Sequence, residues 1–261
     1  MSVDWGDGDY ARTAALLAPA AEVLVASAGP GPGDRVLDVG CGTGNAALAA
    51  AFRGARVTAV DPSERLVAVA RERAAEAGGG VEALVAEAED LPFADAVFDV
   101  VISSFAVIFA PDPAAAVGEM VRVARHGGTV ALSTWLPGGA IVASSKALRS
   151  ASPPGPEPLP HWDDPEWVAG LMRDAGADEV AVERHRISFT ADSPEAWYAE
   201  QEDHHPAWRA TRMEIGEEAW AGVRERSLAA LREGNEDPSG FRATSEYAIV
   251  RSVRISPAPG G

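Results

Sequence analysis

Arg35-Val36-Leu37-Asp38-Val39-Gly40-Cys41-Gly42-Thr43-Gly44-Asn45 is the stretch from which the rest of the chain is read. Val36, Leu37 and Val39 make a short apolar run of strand type. Three glycines at alternate positions follow, and residues 46–52 form an Ala/Leu-rich helical segment. A glycine turn between strand and helix leaves room for a ligand where a Cβ would otherwise stand. It also turns the unpaired N–H groups of the helix start toward that ligand. Asp38 then lies at the carboxyl end of a strand, where open α/β sheets bind their ligands.

Two loops compete for this pattern. A dinucleotide-binding turn reads G-x-G-x-x-G, but after Gly40 and Gly42 the third position holds Asn45. The chain reads Asp-x-Gly-x-Gly-x-Gly instead. Residues 36–44 resemble motif I of the class I S-adenosylmethionine (SAM)-dependent methyltransferases, V-L-D-x-G-C-G-T-G. That resemblance implies an α/β fold, a doubly wound Rossmann-like sheet of seven strands with the last antiparallel. It implies SAM as cofactor and S-adenosylhomocysteine as product, with Asp38, Gly40, Cys41, Gly42 and Gly44 against the cofactor.

Downstream, Gly54 suits a helix C-cap and residues 55–60 a second strand, ending at Asp61. An acid at this tip holds a ribose in nucleoside-binding α/β folds, accepting from both hydroxyls. The same residues fit a capping box, with Asp61 as N-cap, Pro62 at N1 and Glu64 at N3; Ser63 as N-cap would leave Asp61 to a ligand. Residues 63–77 form an amphipathic helix closed by three glycines, and 81–86 a third strand. Glu87-Ala88-Glu89-Asp90-Leu91-Pro92-Phe93, followed by Phe98-Asp99-Val100-Val101, resembles D-A-E-x-L-P-F … F-D-x-V. That pattern belongs to the ubiquinone/menaquinone-biosynthesis-like, small-molecule branch of the family. Glu87 stands where Asp is usual, and either carboxylate accepts the adenine amino hydrogen. The resemblance covers residues 30–135 and adds Pro62, Ser63, Glu87, Ala88 and Ser103 to the cofactor set.

With 261 residues, the chain accommodates one α/β domain with an appendage or two small domains. The expected division is a SAM-binding α/β core with an N-terminal helical segment over 1–150. Residues 151–261 complete the sheet with strands six and seven and carry a helical substrate cap at about 191–240. An apolar share of 47% in regular runs indicates a globular chain. A net charge of −17 repels polyanions, so no nucleic-acid partner is expected. The single cysteine, Cys41, forms no intrachain disulfide and reads as a small packed side chain. No basic segment followed by an apolar stretch opens the chain, and no run of about 18 apolar residues is read in it. A cytoplasmic protein without a membrane span is expected.

Elsewhere, residues 13–28 read as a helix containing Pro19 and ending before Gly29-Pro30-Gly31-Pro32-Gly33. Residues 105–111 form an apolar loop without a general base. Asp112-Pro113 starts a helix to 125, and 129–135 is a fifth strand matching the family's G-G-x-x-x-x-S-x-W. A Pro-rich connection over 153–160 leads to a helix at 163–175 and a strand at 180–190. Residues 194–234 are largely helical and 241–254 return as the last strand. In the family, insertions like this helical one cap the active site and select the substrate. Tyr10, Phe105, Phe109, Trp135 and Trp197 are candidates to line the acceptor's space, with ordinary packing as the competing role.

Methyl transfer is an in-line displacement, governed by placement, and needs a base only for a protonated acceptor. Among the histidines, His126 reads as a cation at a helix end, His185 as solvated between two arginines, and His161 as following the Pro-rich connection. His204 and His205 lie near Trp197, Tyr198 and Trp208 and are the catalytic candidates; neighbours on a helix diverge by about 100°, so at most one faces a cavity. Glu200 and His204 have metal-ligand spacing but read as a surface pair, and no metal is expected. Gly-x-Ser-x-Gly is absent.

The function these features predict is transfer of a methyl group from SAM to a small-molecule metabolite. The Ala/Arg/Gly/Pro-rich composition suits a bacterial natural-product intermediate. Alternatives are a SAM-fold enzyme catalysing a cyclisation or rearrangement, a dinucleotide-dependent oxidoreductase, and a noncatalytic SAM-binding subunit.

Overall fold

Val36, Leu37 and Val39 are fully buried in β1 (Arg35–Val39), as the side chains of a strand covered on both faces must be. In the computed structural model, which describes residues 5–6, 8–151 and 160–255, β1 has parallel neighbours on both sides. These are β2 (Arg56–Asp61) and β4 (Phe98–Ser104), with Val36 opposite Val57 on one side and Val100 on the other. β3 (Val81–Val85) extends the sheet beyond β2, and β5 (Ala124–Trp135) extends it beyond β4. With β6 (Ala177–Ala191) and β7 (Phe241–Arg254) the order is β3-β2-β1-β4-β5-β7-β6, a mixed seven-stranded sheet whose last strand is antiparallel. Strand order reverses between β1 and β4, so the ligand crevice of such a sheet opens at the end of β1.

The helices are α1 (Tyr10–Ala28), α2 (Asn45–Phe52), α3 (Glu64–Glu76), α4 (Pro113–Val123), α5 (Gly139–Arg149), α6 (Pro165–Asp174), α7 (Pro194–His204) and α8 (Pro206–Glu233). The chain divides into two compact units. The larger takes residues 17–134, 160–184 and 248–261, which hold β1 to β4, β5 up to Thr134, the first part of β6 and the second part of β7. The smaller takes 1–16, 135–159 and 185–247, so residue 150, the expected division point, lies inside one of its segments.

In the larger unit Leu37, Val101, Met120, Leu132, Val168 and Met172 form the core between the sheet and its helices. α1 is 19 residues long and, by length and composition alone, apolar enough to cross a membrane. This is an exception to the reading that no such run exists. Its Leu24 and Val25 are fully buried. Pro19 sits inside this helix, which continues through it. β5 starts at Ala124 rather than at 129 because Arg125 is drawn to Asp99 and Arg254 donates to the Ala124 carbonyl. His126 is therefore a strand residue, its Nδ1 3.1 Å from the Ile255 carbonyl, and not a helix end. All of the Pro-rich connection but Pro160 lies outside the described residues.

In the smaller unit, the helical stretch expected over 194–234 is two helices meeting at His205-Pro206. Trp208 meets Trp197, Tyr198 and Trp220 edge-on at 6.2, 5.0 and 6.2 Å, and Phe241 lies 5.8 Å from Trp197. The buried Glu202 accepts from Trp220 Nε1 at 2.5 Å and pairs with Arg224, joining α7 to α8. α5 was not read from the sequence. Its N-cap is Gly138, which offers no capping side chain, so the usual start signal is missing.

α8 is interrupted at Gly216, with φ +77° and ψ 166°, a conformation open essentially to glycine alone. An added Cβ there meets nothing within 4 Å, so the cost of replacement is conformational only. Gly216→Ala is expected to lower stability by about 1–3 kcal/mol. Gly222→Ala, in regular helix, is expected to raise it by up to about 1 kcal/mol. Urea denaturation of both variants checks the contrast, and equal effects contradict the break at Gly216.

Candidate active site

The glycine loop follows β1. At Gly40 φ is +70°, and a Cβ would lie 2.2 Å from the Ala106 Cβ. The room expected there for a ligand is taken by Ala106 from the loop after β4. The loop's amides are also engaged. Cys41 N–H donates to the Val60 carbonyl at 2.8 Å, Gly42 N–H to Asp61 Oδ2 at 2.8 Å and Gly44 N–H to the Cys41 carbonyl at 2.8 Å. Ala47 N–H, in the first turn of α2, donates to Asp38 Oδ2 at 2.9 Å. These amides point into the protein, so the loop is a shaped wall more than an open array of donors.

Asp61, buried at the tip of β2, accepts through its second oxygen, Oδ1, from Ser63 N–H at 2.9 Å. Ser63 is the N-cap of α3, its Oγ accepting from Leu66 N–H at 3.4 Å. Of the capping arrangements open in the sequence, the structure takes the one that leaves Asp61 off the helix start. A carboxylate has about four lone-pair sites, so both Asp61 oxygens keep capacity after these two bonds. Burial raises the Asp61 pKa, the Ser63 and Gly42 amides oppose that rise, and the Glu87 charge adds to it.

Asp38 is 1% exposed. Oδ1 is buried and has no hydrogen-bond partner among the described residues. Burial pushes the carboxyl up to about 7, against the Ala47 N–H bond and with a further push from the Asp61 charge. Burial likewise pushes the Cys41 thiol up, and the side chain is a small packed group as expected. Ser103 Oγ donates to the Val39 carbonyl at 2.8 Å and accepts from Val107 N–H at 3.2 Å, tying the ends of β1 and β4.

Pro62 and Glu87 are exposed and Ala88 half-buried. The Leu91-Pro92-Phe93 segment is held from α4. Leu91 N–H donates to Glu119 Oε2 at 2.8 Å, and Arg122 donates to the Phe93 and Leu91 carbonyls at 2.8 and 3.2 Å. Sequence reading passed over this Glu119/Arg122 pair, although its i,i+3 spacing after an Asp-Pro helix start was visible. It also passed over Arg73 of α3, whose Nη1 donates to the Thr43 carbonyl at 2.6 Å. Phe105, just past β4, is buried with φ +53°, and its N–H donates to Ser133 Oγ at 3.0 Å. Phe109 is 54% exposed.

The other candidates lie in the smaller unit. Trp197 is buried in its aromatic cluster. Tyr10 meets Trp5 edge-on at 5.9 Å, and Trp135 packs with Phe189 and Tyr247 at 6.4 Å each. His205 is the N-cap of α8, with Nδ1 accepting from Ala207 N–H at 3.2 Å and its ring 5.8 Å from Trp5. Burial lowers its pKa to about 4. His204 is half-buried, with Nε2 3.9 Å from Glu200 Oε2. His185 is half-buried and stacked on Tyr247 at 5.4 Å, where solvation was expected. Among the described residues, no group of three or more His, Cys, Asp or Glu side chains gathers as a metal ion would require.

Comparison with known proteins bears on the fold and the family. The family model described as "Methyltransferase domain" matches residues 37–132, from β1 into β5. An uncharacterised protein of Mycobacterium tuberculosis is 40% identical over 192 residues, covering 72% of this chain and 69% of that one. Malonyl-[acyl-carrier protein] O-methyltransferase of Serratia marcescens is 38% identical over 127 residues, 49% of this chain and 48% of its own. The crystal structure of the YcgJ protein from Bacillus subtilis superposes with a TM-score of 0.64 at 19% identity, over 92% of this chain and 99% of that one, a likeness of fold. The chain belongs to the class I SAM-dependent methyltransferase family.

The state of Asp38 has a measurable consequence. A carboxyl whose pKa rises on folding, here from 3.8 to about 7, stabilises the fold below the lower value. That contribution is lost as pH climbs through the higher one. Asn at this position does not titrate. The unfolding free energy of Asp38→Asn minus that of wild type is therefore expected to grow between about pH 4 and about pH 8, by on the order of 4 kcal/mol. Urea titrations across that range without added ligand check it, and a flat difference contradicts a protonated, buried Asp38.

Proposed function

We propose that the protein binds SAM at the loop after β1 and transfers its methyl group to a small-molecule acceptor. The observation that supports this best is the pair of buried carboxylates at the glycine loop, Asp61 with spare acceptor capacity on both oxygens and Asp38 with an unpartnered Oδ1. A nucleoside bearing an amino acid cation supplies donors for both. When bound, SAM supplies a methyl group made electrophilic by its sulfonium.

The chain's own residues supply placement. Asp61, fixed by the Gly42 and Ser63 amides, accepts from the ribose hydroxyls. Asp38 accepts from the amino group, and the cation favours its ionised form. Glu87 and Ala88 meet the adenine, while Cys41 and the glycines wall the loop side. Holding the reacting atoms in line is where such a site gains most of its rate. Of the two histidines considered as a base, His205 has one nitrogen committed to the α8 cap and its basicity lowered by burial, which leaves His204 as the remaining candidate.

A small metabolite as acceptor rests on the overall charge of −17, which opposes nucleic acid, and on the family branch that the Glu87–Phe93 segment resembles. The Serratia relative, named for its action on malonyl-[acyl-carrier protein], sets a precedent for a small acyl group. Isothermal titration with SAM, S-adenosylhomocysteine and NAD tests the cofactor. SAM and its product are expected to bind and NAD not; NAD binding without SAM binding overturns the reading. Asp61→Ala is expected to weaken SAM binding at least about tenfold, or roughly 1.4 kcal/mol. Full affinity in a folded variant removes Asp61 from the ribose site.

A further inference from the structure

α3 presents two residues, three positions apart, to the glycine loop, and such positions share a helix face. Ala70, almost fully buried, sits under Gly44, where an added Cβ would come 3.5 Å from the Ala70 Cβ. One turn further, Arg73 reaches over the loop. Its Nη1 lies 2.6 Å from the Thr43 carbonyl oxygen, 3.0 Å from Thr43 Oγ1 and 3.0 Å from Asn45 Oδ1. One guanidinium nitrogen thus holds the backbone of the loop, its threonine side chain and the residue that opens α2. All three acceptors are neutral, so Arg73 keeps a positive charge against the loop that no carboxylate among these partners cancels.

The contact also accounts for Asn45. A third glycine at this position would have no side-chain oxygen for the guanidinium, whereas Asn45 supplies one at the first residue of α2. Thr43 is 2% exposed and Arg73 half-buried, so these bonds are partly shielded from water, which strengthens charge-assisted bonds. At the neighbouring residue, Gly42 N–H is fixed by Asp61. The loop is therefore gripped by a cation from α3 and an anion from β2, one residue apart in sequence.

We propose that Arg73 is a positioning residue of the cofactor site. It acts through Thr43 and Asn45 to hold the glycine loop in the shape that receives the cofactor, and touches no reacting atom. The proposal rests on the loop being the SAM site. Without Arg73 the loop must be ordered at each binding event, so affinity falls while the fold, whose core lies elsewhere, persists.

The test is isothermal titration of S-adenosylhomocysteine, which needs no acceptor, into wild type, Arg73→Met, Arg73→Lys, Asn45→Ala and the Arg73→Met/Asn45→Ala double variant. Measurements are made well below every melting temperature. Arg73→Met is expected to weaken binding about tenfold, and Arg73→Lys to recover part of that loss because it restores the charge without the fork. The double variant is expected to lose less than the product of the two single losses, because both remove the same contact. Unchanged affinity in folded Arg73→Met, with only its melting temperature lowered, overturns the proposal in favour of a purely structural role. So does a double variant whose loss equals the product. If wild type itself fails to bind, the SAM reading fails first, and the two failures are thereby told apart.

Discussion

The bonds from Asp61 to Gly42 and Ser63 are the constraint on which the site depends. Two parallel strands share backbone bonds along their length, but these end where the strands end. Past β1 the Cys41 amide adds one more backbone bond, to the Val60 carbonyl near the end of β2. Asp61 carries the coupling one step past the sheet, binding the loop of β1 and the cap of α3 to a single side chain. Hydrogen bonds to a charged group are worth about 1.5–3 kcal/mol each, enough to fix a short loop against its conformational entropy. The unused acceptor capacity of the same carboxylate is then aimed by those bonds, so the feature that orders the loop is the one that offers it a ligand.

Much of this was legible because it is local. An apolar strand, alternate glycines and an acid at the next strand's tip are separated by few residues, and the topology of a parallel sheet leaves little choice about where they meet. The seven strands of the sheet and the antiparallel last strand followed from the resemblance. What escaped was non-local or unsignalled. Ala106 filling the space above Gly40 joins residues far apart in sequence. Arg73 is one arginine among several on an exposed-looking helix, and only the fold shows which one turns to the loop. α5 begins at glycines without a capping side chain, and the extra length of β5 comes from Arg254, more than a hundred residues away.

The histidines show the same division. Spacing alone left His204 and His205 equivalent. Pro206 separates them physically: a proline at N1 makes the preceding residue an N-cap, which commits the His205 ring to the backbone of α8 and leaves His204 at the end of α7. His126 moved from an expected helix end to a strand position, because strand limits are set by partners that a single sequence does not reveal, and His185, on a strand as expected, is stacked on Tyr247 instead of solvated.

Gly40 and Ala106 are a matched pair of sizes. The absence of a side chain at one is filled by a single methyl group at the other, with no slack between them. Neither position is free to change alone: a methyl gained at 40 requires one lost at 106. Among relatives of this chain, the two sites should vary together or not at all. The first glycine of the motif is then a record of contact between the loops after β1 and β4, and it stays informative about fold in any protein that has kept the sheet but abandoned the cofactor.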